Sequence, residues 1–265
     1  MNSMLISSRD NPRIKKVAKL LSSANARKES GLFAAEGMRL CSDVLQSGIE
    51  IQSVFYTKQA SERYGEKLAD VVKAAKESFL VEEKVFEKMG DTATPQGVLA
   101  LCRIPDCGAK FSANNMYIAM ERVGDPSNLG AVARSAEAFG IDGIFLGGGG
   151  VDPFSPKALR ASMGALVRLP VFVCPDFCTD MEQLKKQGAR IVGTVVREGK
   201  SLVQFSFKKG DIVVIGNEAD GLSDSAADVC DERVTIPMSG RAESLNAATA
   251  ATVFIWEMTK GGSND

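Results

Sequence analysis

Six short segments from Tyr117 onward are apolar at almost every position: Tyr117–Met120, Gly143–Leu146, Val171–Val173, Ile191–Val196, Ile212–Ile215 and Val234–Ile236. A strand with one wet face alternates apolar and polar residues. These runs do not, so both of their faces must be covered. Helical patterns at Asn128–Phe139, Pro156–Met163, Met181–Gln187 and Ser244–Thr259 supply the cover. From Met116 onward the spacing predicts an α/β fold with a parallel sheet between helices.

The first half is also α/β but smaller. Asn11 before Pro12 is a cap followed by proline in the first turn, and Ile14, Val17, Leu20 and Leu21 form one stripe of a helix over Pro12–Ser22. A second helix is expected over Glu36–Ser47, ending at Gly48, and a third over Ala60–Ala75. Strands are expected at Ile51–Tyr56, Phe79–Val81 and Gly97–Cys102. The polar stretch from Pro105 to Asn115 reads as a linker, dividing the chain into domains 1–105 and 116–265 with 106–115 between them. Gly261–Asp265 reads as a frayed end.

The chain of 265 residues contains no histidine. That excludes Ser-His-Asp and Cys-His nucleophile systems, histidine-ligated metals and a histidine general base. The six cysteines show no C-x-x-C spacing, so no metal site is expected and the thiols read as reduced. The N-terminus is polar where a signal sequence is apolar, and the longest apolar run, Ala247–Trp256, is too short to span a bilayer. A cytoplasmic protein with no membrane segment is the expectation.

Net charge is −1, but residues 1–40 carry eight basic side chains (Arg9, Arg13, Lys15, Lys16, Lys19, Arg27, Lys28, Arg39) against Asp10, Glu29 and Glu36, a local +5. A basic head on a mildly acidic body suits a protein that meets nucleic acid with one end. A solvated helix face would read the same way.

Ligands of open parallel sheets gather at the carboxyl ends of the strands. Here those ends carry Glu121–Gly130, the glycine run 147–150, Gly216–Gly221 and Ile236–Met238, with Ser239–Glu243 opening the last helix. The glycine run lacks the G-x-G-x-x-G spacing of a dinucleotide fingerprint, which disfavours a nicotinamide-dependent oxidoreductase. Asn128 and Ser244 could simply cap their helices, and Glu218 could be an exposed turn charge. Arg134 stands among small residues, which suits a ligand clamp or a structural ion pair.

Three segments taken in order are far more specific: N-L-G-A-V-A-R-S-A-E-A-F-G, I-V-V-I-G-N-E-A-D-G-L and I-P-M-S-G-R-A-E-S-L-N-A-A-T-A. Together they resemble the three motifs of the SpoU (TrmH) family of RNA ribose 2′-O-methyltransferases, in the SPOUT superfamily. N-P-R-I-K-K-V, F-A-A-E-G-M-R-L and Thr94–Val98 are similar to the family's N-terminal RNA-binding domain. The resemblance implies a C-terminal domain tied in a deep trefoil knot, a homodimer, and S-adenosylmethionine as cofactor. It implies cofactor contacts at Thr194, Gly216, Asn217, Gly221, Ile236, Met238 and Leu245, and active-site roles for Asn128, Arg134, Glu218, Ser244 and Asn246. Glu218 is expected to orient Arg134 or its own loop. Arg9, Asn11, Arg13, Arg27, Glu36 and Arg39 are the RNA-binding candidates, and ribosomal RNA is favoured over transfer RNA. A non-catalytic RNA-binding or ribosome-assembly protein on the same fold is the alternative.

Overall fold

The computed structural model describes residues 4–90, 92, 94–106, 111–147 and 149–260. The chain forms two compact units, Met1–Asp106 with Phe154–Arg168, and Cys107–Pro153 with Leu169–Asp265.

The first unit runs β1 (Met4–Ile6), α1 (Pro12–Ser22), α2 (Ala24–Ser30), β2 (Leu32–Glu36), α3 (Met38–Gln46), β3 (Ile51–Tyr56), α4 (Lys58–Tyr64), α5 (Glu66–Ala74), β4 (Glu77–Val81), α6 (Glu83–Phe86) and β5 (Val98–Arg103). The strands lie in the order β1-β4-β3-β5-β2, with β5 antiparallel to both neighbours. Asn11 caps α1 as its sequence predicts, and Ile14, Val17 and Leu20 enter a core with Phe55, Phe79, Phe86 and Leu99. The helix expected over 60–75 is two helices, because Gly65 turns the chain at φ +49° between them. Glu36 ends β2 rather than opening α3, whose cap is Gly37 at φ +97°.

The second unit begins β6 (Tyr117–Glu121), α7 (Pro126–Ala138) and β7 (Gly143–Gly147). The chain then joins the first unit as α8 (Pro156–Ser162) and α9 (Ala165–Arg168). There Phe154 packs on Phe33 with ring centroids 4.9 Å apart, and Arg168 Nη1 lies 2.9 Å from Asp43 Oδ2. The helix expected at Pro156–Met163 therefore packs with the first unit, which corrects a division that gave all of 116–265 to the second. The second unit continues with β8 (Val171–Cys174), α10 (Phe177–Lys186), β9 (Arg190–Thr194), β10 (Lys200–Ser201), β11 (Asp211–Ile215), α11 (Asp224–Val229), β12 (Glu232–Thr235) and α12 (Ala247–Thr259). Its seven strands are all parallel, in the order β10-β12-β9-β11-β6-β7-β8. β6, β7 and β11 are buried at every position, which is why their sequences do not alternate. Helices α7 and α12 pack together, joined by the Ser135 and Thr252 hydroxyls at 2.8 Å.

Of the linker expected over 106–115, residues 107–110 lie outside the described residues, as do Gly148 of the glycine run and the expected frayed end 261–265. Among the described residues no helix is long and apolar enough to cross a membrane, and no group of metal-ligating side chains is found.

Candidate active site

At the carboxyl end of β6 the chain must turn into α7. Asp125 caps that helix, its Oδ1 accepting from Ser127 N at 2.9 Å, and Pro126 fills the first turn. Asn128 is thus released from capping, against the simpler reading of its sequence. It is buried, and its Nδ2 donates to Glu218 Oε1 at 2.7 Å while its Oδ1 accepts from Asn246 Nδ2 at 3.1 Å. Asn246, not Ser244, caps α12, its Oδ1 accepting from Ala248 N and Thr249 N. One hydrogen-bonded chain therefore joins the three segments that the sequence singles out.

Glu218 also accepts from the N–H groups of Gly124 and Asp125, each at 3.4 Å. Burial pushes its carboxyl up, but the Asn128 amide and these backbone donors outweigh it and hold the group below the ordinary carboxylate range. Glu218 thus orients the β6–α7 loop. It makes no bond to Arg134, which corrects that half of the expectation. Arg134 is exposed and has no hydrogen-bond or ion-pair partner among the described residues, so the structural ion pair is not formed.

After β11 the chain folds sharply back. Asn217 and Gly221 exchange backbone hydrogen bonds of 2.9 and 3.0 Å, and Gly221 sits at φ +72°. A Cβ on Gly216 would lie 2.3 Å from the Gly221 carbonyl carbon, so no larger residue fits there. The Asn217 side chain serves this loop, Oδ1 accepting from Ala219 N and Asp220 N and Nδ2 donating to Arg122 O. What Asn217 offers a ligand is therefore backbone.

Beside this fold lies a cavity of about 520 Å³ within the second unit. All seven residues expected to contact a cofactor line it: Thr194, Gly216, Asn217, Gly221, Ile236, Met238 and Leu245. Glu218 and Ser244 line it as well; Asn128, Arg134 and Asn246 do not. Val195, Val196, Leu222 and Phe254 give it apolar walls, and the exposed loop 238–245 makes no backbone hydrogen bond among the described residues. A recess of this size, with apolar walls and with unbonded backbone groups in loop 238–245, suits a small organic ligand that carries polar groups. Cys41, Cys174 and Cys230 are free, with thiols pushed by burial up to about 12, so none is poised as a nucleophile.

Residues 115–256 match the sequence model of the SpoU rRNA Methylase family. The chain belongs to the SpoU rRNA methylase family. Residues 11–100 of this SpoU methylase match the MRM3-like substrate binding domain. It is 33% identical over 259 residues to an uncharacterized tRNA/rRNA methyltransferase of Synechocystis sp., covering 95% of this chain and 92% of that one. It is 26% identical over 253 residues to the 23S rRNA (guanosine(2553)-2′-O)-methyltransferase RlmP of Bacillus subtilis, covering 96% and 98%. The solved structure of the SpoU methyltransferase AviRb from Streptomyces viridochromogenes, in complex with AdoMet, superposes with a TM-score of 0.87 at 27% identity, over 96% of this chain and all (100%) of the other.

In the substrate-binding unit of this SpoU methylase the six RNA-binding candidates do different things. Arg9 and Arg39 are exposed. Asn11 is occupied as the α1 cap, accepting from Arg13 N at 2.9 Å. The Arg13 guanidinium lies 4.7 Å over the Phe79 ring, with Glu77 at 3.9 Å. Glu36 is half-buried and accepts from the Thr92 hydroxyl. Arg27 is not available to RNA at all. It is 4% exposed, and its Nη1 donates to the Leu20 and Leu21 carbonyls that end α1. Gln96, in the Thr94–Val98 segment, braces the unit by accepting from Met38 N at 3.1 Å.

Sequence reasoning gave Asp125 no role, although Asp-Pro ahead of an apolar run is a helix-start signature. It also gave none to Glu121 and Arg122, and no local pattern marks them.

Proposed function

We propose that the protein transfers the methyl group of S-adenosylmethionine to a ribose 2′-hydroxyl of ribosomal RNA. The observation that carries this reading is that one cavity is lined by both the Gly216–Gly221 and the Ile236–Leu245 segments, the two expected to hold the cofactor. The AdoMet complex of AviRb and the 2′-O specificity in the name of RlmP support it. Ribosomal rather than transfer RNA is favoured by the latter relative and by the substrate-binding unit over 11–100.

The bound sulfonium supplies an electrophilic methyl carbon, so this chemistry asks for no metal. The protein's residues align a hydroxyl with that carbon and ease loss of its proton. Gly216, Gly221 and the backbone of loop 238–245 hold the cofactor, with Thr194, Asn217, Ile236, Met238 and Leu245 around it. Asn128, Glu218 and Asn246 keep the loops in register, and Ser244 positions the ribose. Arg134 clamps the phosphate beside the target and stabilises negative charge developing on the 2′-oxygen; a guanidinium is too weak a base to take the proton itself. RNA docks on Arg9, Arg39 and the exposed α1 side chains Arg13, Lys15, Lys16 and Lys19.

The same reading includes a cytoplasmic homodimer and a knotted second unit. The exposed rings of Phe139, just after α7, and Trp256 of α12, edge to face at 5.4 Å, support a protein partner on that surface. β12, last in sequence yet lying between β9 and β10, supports threading of the segment that follows it.

Calorimetric titration with S-adenosylmethionine tests the proposal first, and mapping of 2′-O-methyl groups on ribosomal RNA from cells lacking the protein tests the substrate. Micromolar binding and one missing methyl group are expected. Folded protein that binds no cofactor, with or without RNA, would transfer the assignment to the non-catalytic RNA-binding reading.

A further inference from the structure

Glu121 ends β6 with its side chain 5% exposed. Its Oε1 accepts from Arg122 Nε at 2.8 Å, and its Oε2 accepts from Ser223 N at 3.3 Å. Ser223 follows the Gly216–Leu222 loop directly, and its own hydroxyl is occupied in capping α11 through Ala226 N. The other end of the loop is fixed to the neighbouring residue: Asn217 Nδ2 donates to Arg122 O at 2.9 Å. Arg122 adopts φ +51°, a left-handed conformation that costs a branched or long side chain energy and persists only when its surroundings over-determine it. They do so here. Its N–H donates to Gly147 O at 3.2 Å, its carbonyl accepts from Asn217, and its guanidinium is held by Glu121. The Arg122 side chain is 39% exposed, and an ion pair with a solvated partner contributes little to stability, so a pair placed under both ends of one loop calls for another reason.

We propose that Glu121 and Arg122 are positioning residues that staple the two ends of the Gly216–Leu222 loop to the end of β6 and so fix the shape of the cofactor cavity. The inference rests on reading that cavity as the S-adenosylmethionine site. The glycine run acquires a purpose on this view. A Cβ on Gly150 would lie 2.9 Å from the Val123 carbonyl oxygen, so the run is small where it must lie against the strained segment.

The test uses the full chain with Glu121→Ala and Glu121→Gln. Hydrogen exchange reports the loop, titration with S-adenosylhomocysteine reports the cavity, and steady-state kinetics separates binding from chemistry. Glu121→Ala should speed exchange at 217–223 while β7 and β8 keep their protection. Affinity should fall about tenfold or more, the scale of one lost charge-assisted hydrogen bond. KM for S-adenosylmethionine should rise with kcat at saturation largely retained, and Glu121→Gln, which keeps an acceptor for Ser223 N–H, should recover most of the affinity. Wild-type affinity and exchange in Glu121→Ala would overturn the proposal. So would lost protection across the whole sheet in both variants, or a fall in kcat with KM unchanged. A wild-type protein that binds no S-adenosylhomocysteine defeats the cofactor reading instead, and exchange at 217–223 still decides the staple.

Discussion

Asn128 donates its amide to Glu218 across ninety positions of sequence, at 2.7 Å, and accepts in turn from Asn246. Two loops and a helix start are held in register by one side chain. Asn128→Ala leaves the Glu218 and Asn246 groups short of a partner, which should cost about 1–3 kcal/mol of stability. Chemical denaturation checks the stability, and cofactor titration should show a parallel loss.

The lowered carboxyl of Glu218 sets a pH dependence. A group whose folded pKa is depressed stabilises fully above its ordinary value, here 4.5, and loses that contribution as pH falls through the folded value. Cofactor binding should therefore persist down to pH 4.5 and weaken below it. Glu218→Gln should bind more weakly at neutral pH and lack this acid limb, measured by titration across the range.

Gly216 has no room for a methyl group, since its neighbours across the turn are backbone atoms that cannot rotate away. Gly216→Ala should open the Asn217–Gly221 pairing and abolish measurable S-adenosylmethionine binding, while circular dichroism keeps the folded signal.

Arg134 is exposed and outside the cavity, so its loss should spare both fold and cofactor affinity. Arg134→Ala is expected to lower kcat by about 10²–10³, the scale of removing one donor aimed at a developing oxyanion. Single-turnover methylation with radiolabelled cofactor measures it, and retained turnover would remove Arg134 from the mechanism.

The basic head divides into two kinds of arginine. Arg27→Ala strips the end of α1 of its donor and should destabilise the first unit by about 2 kcal/mol or more. Arg9→Ala with Arg39→Ala should leave the melting temperature unchanged and reduce both RNA affinity and the salt slope of binding. Filter binding at two salt concentrations separates the two classes.

Much of this was legible in the residues. The six apolar runs locate β6, β7, β8, β9, β11 and β12, but burial on both faces explains the composition only of β6, β7 and β11; β8 leaves Val173 exposed and β12 buries only Val234, so those two runs are not covered on both faces. The Asn11-Pro12 start of α1 was equally plain, since capping is local. Leu32–Glu36 carries no strand signature of its own, because a five-residue stretch with two alanines fits helix or sheet until its pairing with β5 decides. Arg27 misled for the same reason: charge counting sees a cation, and only tertiary packing turns it onto the carbonyls of α1. In the site, the cavity-lining residues followed from motif position. The Glu121–Arg122 pair did not, because a left-handed backbone angle leaves no mark on the composition around it.

The excursion of α8 and α9 has a consequence for how the chain is made. Phe33 and Asp43 are synthesised early, yet their partners Phe154 and Arg168 emerge more than a hundred residues later, after β6, α7 and β7. The amino-terminal unit cannot finish its own packing on the ribosome until residues 107–153 of the unit behind it have already left the tunnel. A fragment cut at residue 106 would keep the sheet but leave Phe33 without its aromatic cover and the Asp43 carboxylate without its cation. The two units are obliged to mature together.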